Sequence, residues 1–443
     1  MTSGGQRGSA TVRRVMWRTV PILMALYFVN YLDRTNLGIA RADISAHLQL
    51  SATMFGFASG IFFIGYVLVE VPSNLALHRF GARRWLARIA VSWGLVVVAI
   101  GFAPNAPTLL ALRFLLGVAE AGLFPGVILY LSRWFPTAYR ARVVAMFMLA
   151  SPIAAAVGTP VGAWLIDVGD GLFGLAGWQF MMICSGLPAI ALGVVCWIAL
   201  TDRPADANWL PDDEKRWLIG VLAAEEHAVS SRFDFPLRRA LRSPRVWALA
   251  VVYFGVAYGL YALAFFLPSI IAGFREDFGL TLSIEQVGLI TAIPYAFAAV
   301  AMYLWSRRAD RTGAHTRHVA VPMLLGGLAI PVALYLDSPV LVMIPVTLAA
   351  MGVFSAIPSF WALPSRFLTG AAAAGGIGLI NSVGNLGGFA APYVTGALDD
   401  ALGSARAGMW AVGLMMVISA GVVFTLSNDR LSPSTPATPP ARR

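Results

Sequence analysis

The chain has 443 residues, 58% of them hydrophobic and 12% charged, with a mean hydropathy of +0.73. A soluble protein is roughly one-quarter charged, so this composition excludes an ordinary soluble domain and indicates an integral membrane protein. The net charge of +10 is carried almost wholly by arginine in short loops between apolar runs, which speaks for membrane topology rather than a nucleic-acid partner.

Polar breaks divide the sequence into twelve apolar runs, each close to the ~20 residues a spanning helix needs. They fall at 17–40, 52–77, 85–104, 108–131, 141–166, 178–200, 246–272, 285–306, 318–336, 339–362, 372–398 and 406–427. The expected fold is therefore an all-α membrane protein of twelve transmembrane helices in two six-helix halves. Residues 1–16 contain Arg7, Arg13 and Arg14 and lack a cleavable signal pattern, so the first run is expected to be retained as a span. Arginines cluster after the second run (Arg79, Arg83, Arg84), the fourth (Arg133, Arg140, Arg142) and the eighth (Arg307, Arg308, Arg311, Arg317). The positive-inside rule then places both termini in the cytoplasm.

Residues 17–200 form the expected N-terminal bundle and 246–427 the C-terminal one. Between them, 201–245 is a hydrophilic linker in which 209–227 reads as a surface helix, with Pro211 near its start and Asp212, Asp213 and Glu214 in the first turn. The tail 428–443 is rich in proline, serine and threonine and is expected to be disordered.

Four charges fall inside apolar runs: Asp33 and Arg34 in the first, Arg113 and Glu120 in the fourth. A charge at mid-bilayer costs at least ~2.5 kcal/mol, so such residues pair with one another and line a solute or ion path. Arg113 and Glu120 are seven residues apart and share one helix face, about 10 Å apart along the axis. Each is more naturally paired with a charge on the first span than with the other. An arginine can replace the water of a carboxylate bidentately without losing its own charge. Coupling to protons requires an acid that titrates, and burial raises the pKa of Asp or Glu towards physiological pH.

Two basic loops stand at corresponding places in the halves. NLALHRFGARR (74–84) contains Arg79 and Gly81; SRRADRTGAHTR (306–317) contains Asp310, Arg311 and Gly313. Glycine permits the sharp turn, the arginines suit helix ends and lipid phosphates, and the matched spacing points to a duplicated six-span unit.

The loop pair resembles the signature loop of the major facilitator superfamily, Gly-x-x-x-Asp-Arg-x-Gly-Arg-Arg. The second copy keeps Asp310, Arg311 and Gly313, whereas the first has His78 in place of the acid, and Asn74 and Ser306 replace the leading glycine. Further stretches resemble that superfamily's anion:cation symporter family: YLDRTN (31–36), EVPSNLALHRFGARRW (70–85), RFLLGVAEAGLFPGVILYLSRWFP (113–136), TDRPADANWL (201–210), FWALPSRFLTG (360–370) and INSVGNLGGFAAPYVTG (380–396). The similarity runs from about residue 16 to 427 and is nearest the tartrate-transporter-like branch, with Ser185 standing where that branch usually has glutamate.

The resemblance implies a multi-pass transporter of the bacterial inner membrane that imports tartrate, a sugar acid or a similar carboxylate by proton symport. It makes Asp33 the partner of Arg113, Glu120 the acid coupling protonation to substrate, and Arg34 the contact of the substrate carboxylate. Tyr31 matches a substrate-contacting tyrosine of sugar-acid members, although an interfacial tyrosine reads the same way, and Tyr66 is a similar case. Trp361 and Asn385 fall in matched stretches where the family places substrate contacts; packing explains Trp361 equally well. Asn381 and Ser382 are expected to bond between helices. Tyr258 and Tyr261 either face the cavity or belong to core or lipid-facing surface. GTPVGAW (158–164) and GNLGGFAAP (384–392) resemble the superfamily's flexible glycine–proline segments.

Enzyme chemistry finds no support. His47, His78, His227, His315 and His318 form no HExxH-type pair, Cys184 and Cys196 are twelve apart in one apolar run, and no Walker loop is present. The expected partners are a small carboxylate, protons and the lipid bilayer, with no cofactor and no nucleic acid, and the expected state is a monomer. The competing reading is a proton-coupled exporter of drugs or amphipathic solutes, which the two intramembrane arginines disfavour for cationic cargo.

Overall fold

Backbone in hydrocarbon must satisfy its own hydrogen bonds, which leaves helices as the form an apolar run of this length adopts. The computed structural model describes residues 3–230, 242–274, 279–364, 370–403 and 406–428; within them the side chains of 3–7, 78, 141, 226–230, 310, 370–375 and 427–428 lie outside that description. The first half contains α1 (Ser3–Ile39), α2 (Arg41–Leu48), α3 (Ala52–Phe80), α4 (Ala82–Ile100), α5 (Ala106–Glu120), α6 (Leu123–Trp134), α7 (Thr137–Met148), α8 (Ala150–Gly169) and α9 (Gly177–Ala199). The linker carries α10 (Asp212–Ser230), and the second half α11 (Pro244–Ala272), α12 (Ile284–Thr312), α13 (His315–Ala333), α14 (Pro339–Trp361), α15 (Gly370–Leu402) and α16 (Arg406–Asn428).

Ten segments among the described residues are long and apolar enough to cross a membrane. Two of these join a pair of helices, α5 with α6 and α7 with α8. α4, which carries Arg83, Arg84 and Arg88, and the glycine- and alanine-rich α15 complete the twelve. Helix starts follow local chemistry: Ser51 accepts from Met54 N at 3.2 Å, Asn105 from Thr108 N at 3.0 Å, and Ser283 and Gln286 form a reciprocal capping box.

The first helix differs from the apolar run that signals it. It begins at Ser3, and beyond Ile39 the bonds Ala40 N to Asn36 O (3.0 Å) and Ile44 N to Ala40 O (2.9 Å) carry it into α2. Hydropathy reports the greasy length of a helix, not its hydrogen-bonded length. Asp33 and Arg34 lie within the last two turns of α1, which α2 follows directly.

The fourth span is broken. Directly after Glu120, Ala121 is extended (φ −53°, ψ 131°) and Gly122 is left-handed (φ 89°). Ser73 Oγ donates to the freed Ala121 carbonyl at 2.5 Å and itself accepts from Trp85 Nε1 at 3.0 Å. A side chain on Gly122 would meet Ser73, so this turn demands glycine on both counts.

The two halves repeat one packing device. A Cβ on Gly94 would lie 2.7 Å from Gly186 O and one on Gly186 2.6 Å from Gly94 O, joining α4 to α9. In the second half Gly327 and Gly413 make the same reciprocal approach, 2.8 and 2.6 Å, joining α13 to α16. In hydrocarbon such small-residue seams hold helices together by close contact. Across the halves, α3 packs on α15, α8 on α12 and α1 on α11. Large apolar side chains such as Leu68, Ile198, Leu325 and Val340 face outward, as a lipid-facing surface requires.

One face carries the N-terminal start of α1 and the arginine-rich loops; it is called the basic face below. There Gly81 (φ 86°) ends α3 and Gly313 (φ 65°) ends α12, and Arg79 lies 5.5 Å from the Phe80 ring. Arg311 is exposed, whereas the Asp310 side chain is outside the described set. In the first loop, where His78 replaces the signature acid, Asp202 accepts from Arg83 N at 2.8 Å and caps α4 from beyond α9. The linker helix α10 is fastened to the first half: Arg14 pairs with Glu214 at 3.3 Å, and Glu225 accepts from Thr137 N at 3.0 Å at the start of α7. At the opposite face Arg41 pairs with Asp399 at 3.4 Å, and Asp400 accepts from Ala52 N (3.1 Å) and Thr53 N (2.7 Å). Those bonds with Thr53 hold the exposed Asp400 carboxyl below the usual carboxylate range.

Candidate functional site

The centre of the molecule is organised by Arg34 of α1. Its Nε donates to Glu120 Oε2 at 2.9 Å, and its Nη1 donates to the Tyr261 hydroxyl, also at 2.9 Å. Glu120 belongs to the first half and Tyr261, on α11, to the second, so one guanidinium ties the halves across their seam. Its Cζ lies 5.1 Å from the centre of the Phe62 ring and 5.2 Å from that of Tyr66, both on α3, a cation–π contact with each.

The cluster has spare bonding capacity. Glu120 is fully buried, yet its Oε1 meets no protein hydrogen-bond partner among the described residues. Neither amide atom of Asn30 does, although Asn30 lies beside that carboxylate, and neither does the hydroxyl of Tyr31. Buried polar atoms without partners are rare in folded proteins. Four of them lie near one arginine, with Asn30 close enough to Glu120 to bond it after a small shift, so the cluster keeps bonding capacity for a polar guest.

Asp33 faces the other way. Its Oδ2 accepts from Trp93 Nε1 of α4 at 2.8 Å and its Oδ1 from Asn36 Nδ2 at 3.4 Å. Ser185 of α9 stands close to it, while its hydroxyl donates to Met182 O at 3.1 Å. The expected pairing of Asp33 with Arg113 is not what the geometry gives. Arg113 donates to the carbonyls of Ala58 (3.2 Å) and Ser59 (3.3 Å) on α3, and among the described residues no ion pair within 4.0 Å joins it to Asp33. The reason is geometric. Successive residues on a helix diverge by about 100°, so with Arg34 turned to Glu120, Asp33 points at α4 and α9. Phe62 also fills the space between the two arginines, 5.1 Å from Arg34 and 5.3 Å from Arg113.

Of the other sequence candidates, Tyr66 joins the Arg34 cluster directly, and Tyr31 stands on the same helix with its ring 6.5 Å from Phe354. Trp361 is set apart in an aromatic layer with Tyr253 (4.8 Å) and Phe124 (6.2 Å). Asn385 is buried on α15. Sequence reading overlooked Asn30, Phe62 and Trp93 and left Tyr261 undecided, because a polar or aromatic residue within an apolar run carries no mark of the face it occupies. Glu70 was overlooked as well, though it lies in a motif-like stretch. Asn381 and Ser382 do bond between helices, and Glu70 is their partner.

Comparison with known proteins agrees with this architecture. The family model of the Major Facilitator Superfamily matches residues 23–392. The chain belongs to the major facilitator superfamily. This facilitator is 45% identical over 416 residues to a protein of Agrobacterium vitis named "Putative tartrate transporter", with 94% of each chain covered. It is 38% identical to a "Quinolone resistance transporter" of Acinetobacter baumannii, again with 94% of each covered, and 36% identical to the inner membrane transport protein RhmT of Escherichia coli, with 95% and 96% covered. Among solved structures, the partially occluded inward-open form of the xylose transporter XylE from E. coli superposes with a TM-score of 0.72 at 16% identity, covering 93% of this chain and 99% of that one. At that identity the likeness speaks for the fold alone. The protein is thus a membrane-embedded transporter of a small substrate.

Proposed function

We propose that this transporter imports a small organic anion, of the tartrate or sugar-acid class, together with protons, exposing a central site alternately to the two faces. One observation carries the reading: Arg34, a permanent cation, bridges both halves at the centre and is ringed by unpartnered polar atoms of Asn30, Tyr31 and Glu120. A carboxylate entering from outside competes with Glu120 for the guanidinium. Protonation of Glu120 removes that competitor, so Arg34 is released to the substrate. Proton loss from Glu120 restores the ion pair and expels the anion. Asp33, held by Trp93, is the second acid in this scheme, and Arg113 holds α5 against α3. The basic face is taken as cytoplasmic, a placement supported by its arginine-rich loops. The relatives named for tartrate support the substrate class.

Uptake into proteoliposomes tests the reading. Labelled tartrate and sugar acids are expected to accumulate under an inwardly directed proton gradient and to stop accumulating when a protonophore collapses it. No uptake of any carboxylate, together with outward movement of a quinolone from cells, would overturn the reading in favour of the exporter.

A further inference from the structure

Glu70 is a buried acid on α3, 2% exposed, that takes no part in the Arg34 ion pair. Its Oε2 accepts from Ser382 Oγ at 3.0 Å and its Oε1 accepts from Asn381 Nδ2, both donors lying on α15 of the other half. Among the described residues no cation pairs with it within 4.0 Å. The contact is therefore a hydrogen-bonded bridge between the halves and not part of a salt-bridge network.

Its depth is informative. Glu70 lies one helical turn beyond Tyr66 towards the basic face, about 15 Å along the axis from the Phe80 end of α3. Trp361, Tyr253 and Phe124 join α14, α11 and α6 in an aromatic layer, and Tyr253 packs against Gly384, one turn along α15 from Asn381. Arg34 thus has this layer and the Glu70 bridge on one side. Towards the opposite face lie the bonds of Arg41 with Asp399 and of Asp400 with the start of α3.

We propose that Glu70, Asn381 and Ser382 form a clasp that shuts the basic-face half of the path and parts each time substrate passes through that face. The proposal rests on the chain working by alternate exposure to two faces, whichever substrate it carries. The chemistry suits a joint that must separate. Both carboxylate oxygens accept while the clasp is closed, and water entering from the basic face replaces both donors as it opens, so no polar atom is stranded. An apolar seam at the same point has no such exchange.

The test uses the full chain with Cys184 and Cys196 replaced by alanine and spin labels at positions 142 and 308. These are exposed and sit near the basic-face ends of α7 and α12, one in each half. Distances measured by pulsed electron resonance in lipid nanodiscs, without substrate, report the opening of that face. Ser382→Ala and Glu70→Ala are each expected to raise the ratio of long to short distances by about tenfold. A second pair at positions 172 and 280, exposed at the opposite face, is expected to stay unchanged or shorten. Ser382→Ala leaves the acid in place, so the result does not depend on whether Glu70→Ala folds. Unchanged basic-face distances in Ser382→Ala would overturn the proposal, as would equal lengthening at both faces, which signals general loosening of the α3–α15 seam. Because no substrate is present, neither result depends on whether the carboxylate reading holds.

Discussion

Replacing Arg34 by glutamine removes the one cation paired with Glu120 within 4.0 Å among the described residues. Glu120 is fully buried, and breaking such a pair by deleting one partner costs roughly 3–5 kcal/mol. With an unfolding entropy of roughly 2 cal/mol/K per residue, a chain of this length loses about 3–5 °C of melting temperature. Glu120→Gln is expected to cost less, since Arg34 keeps the Tyr261 hydroxyl and two ring faces. The double variant Arg34→Gln/Glu120→Gln places two amides where the ions stood and is expected to recover most of the loss. None of the three variants should accumulate substrate under a proton gradient. Scanning fluorimetry on detergent-purified protein gives the three shifts, and uptake into proteoliposomes gives the activities. If the double variant melts as low as the sum of the singles, the two residues are not coupled and the assignment of Arg34 to Glu120 fails.

Two further outcomes follow from geometry away from the ion pair. Gly122→Ala forces a side chain into a left-handed position and against Ser73, costing at least about 1–2 kcal/mol from backbone strain alone; Gly220→Ala, on a helix position with open space around it, should instead stabilise by about 0.5–1 kcal/mol. Equal melting of the two variants would refute the argument for the break in the fourth span. Asp400, whose carboxyl is held below its usual range by Thr53, contributes fully above the ordinary carboxylate pKa near ~4 and loses its contribution as pH falls through the lowered value. Opposite-face distances between labels at 172 and 280 should therefore hold at pH ~4 and lengthen only in stronger acid, a response that Asp400→Asn abolishes.

Much of the fold is legible in the chain because a membrane imposes one solution on long apolar runs, and runs of that kind are visible by composition. The four intramembrane charges are equally visible, since nothing but function or pairing retains them there. Their partners are not. Whether Asp33 meets Arg113 or Trp93 depends on how α1 is rotated about its axis, and that rotation is set by packing on both halves together. Tyr261 is 227 residues from Arg34 and reads as an ordinary aromatic in an apolar helix. Asp202 likewise caps α4 from across the sixth span, a bond that nothing in the sequence of the first loop announces. The helical extension of α1 to Ser3 is hidden because its residues are polar, while the break after Glu120 is announced only by a glycine among many.

The broken fourth span also bears on how such a transporter can change. Arg113 pins α5 to the carbonyls of Ala58 and Ser59, while the joint ahead of α6 is propped separately by Ser73, so α3 serves as a common rail for two independently fastened segments. Substitutions that shift Glu120 against Arg34 can accumulate on one segment without unsettling Phe124 and the aromatic layer on the other. A lineage built this way can alter its central cluster by small steps while the aromatic layer stays intact.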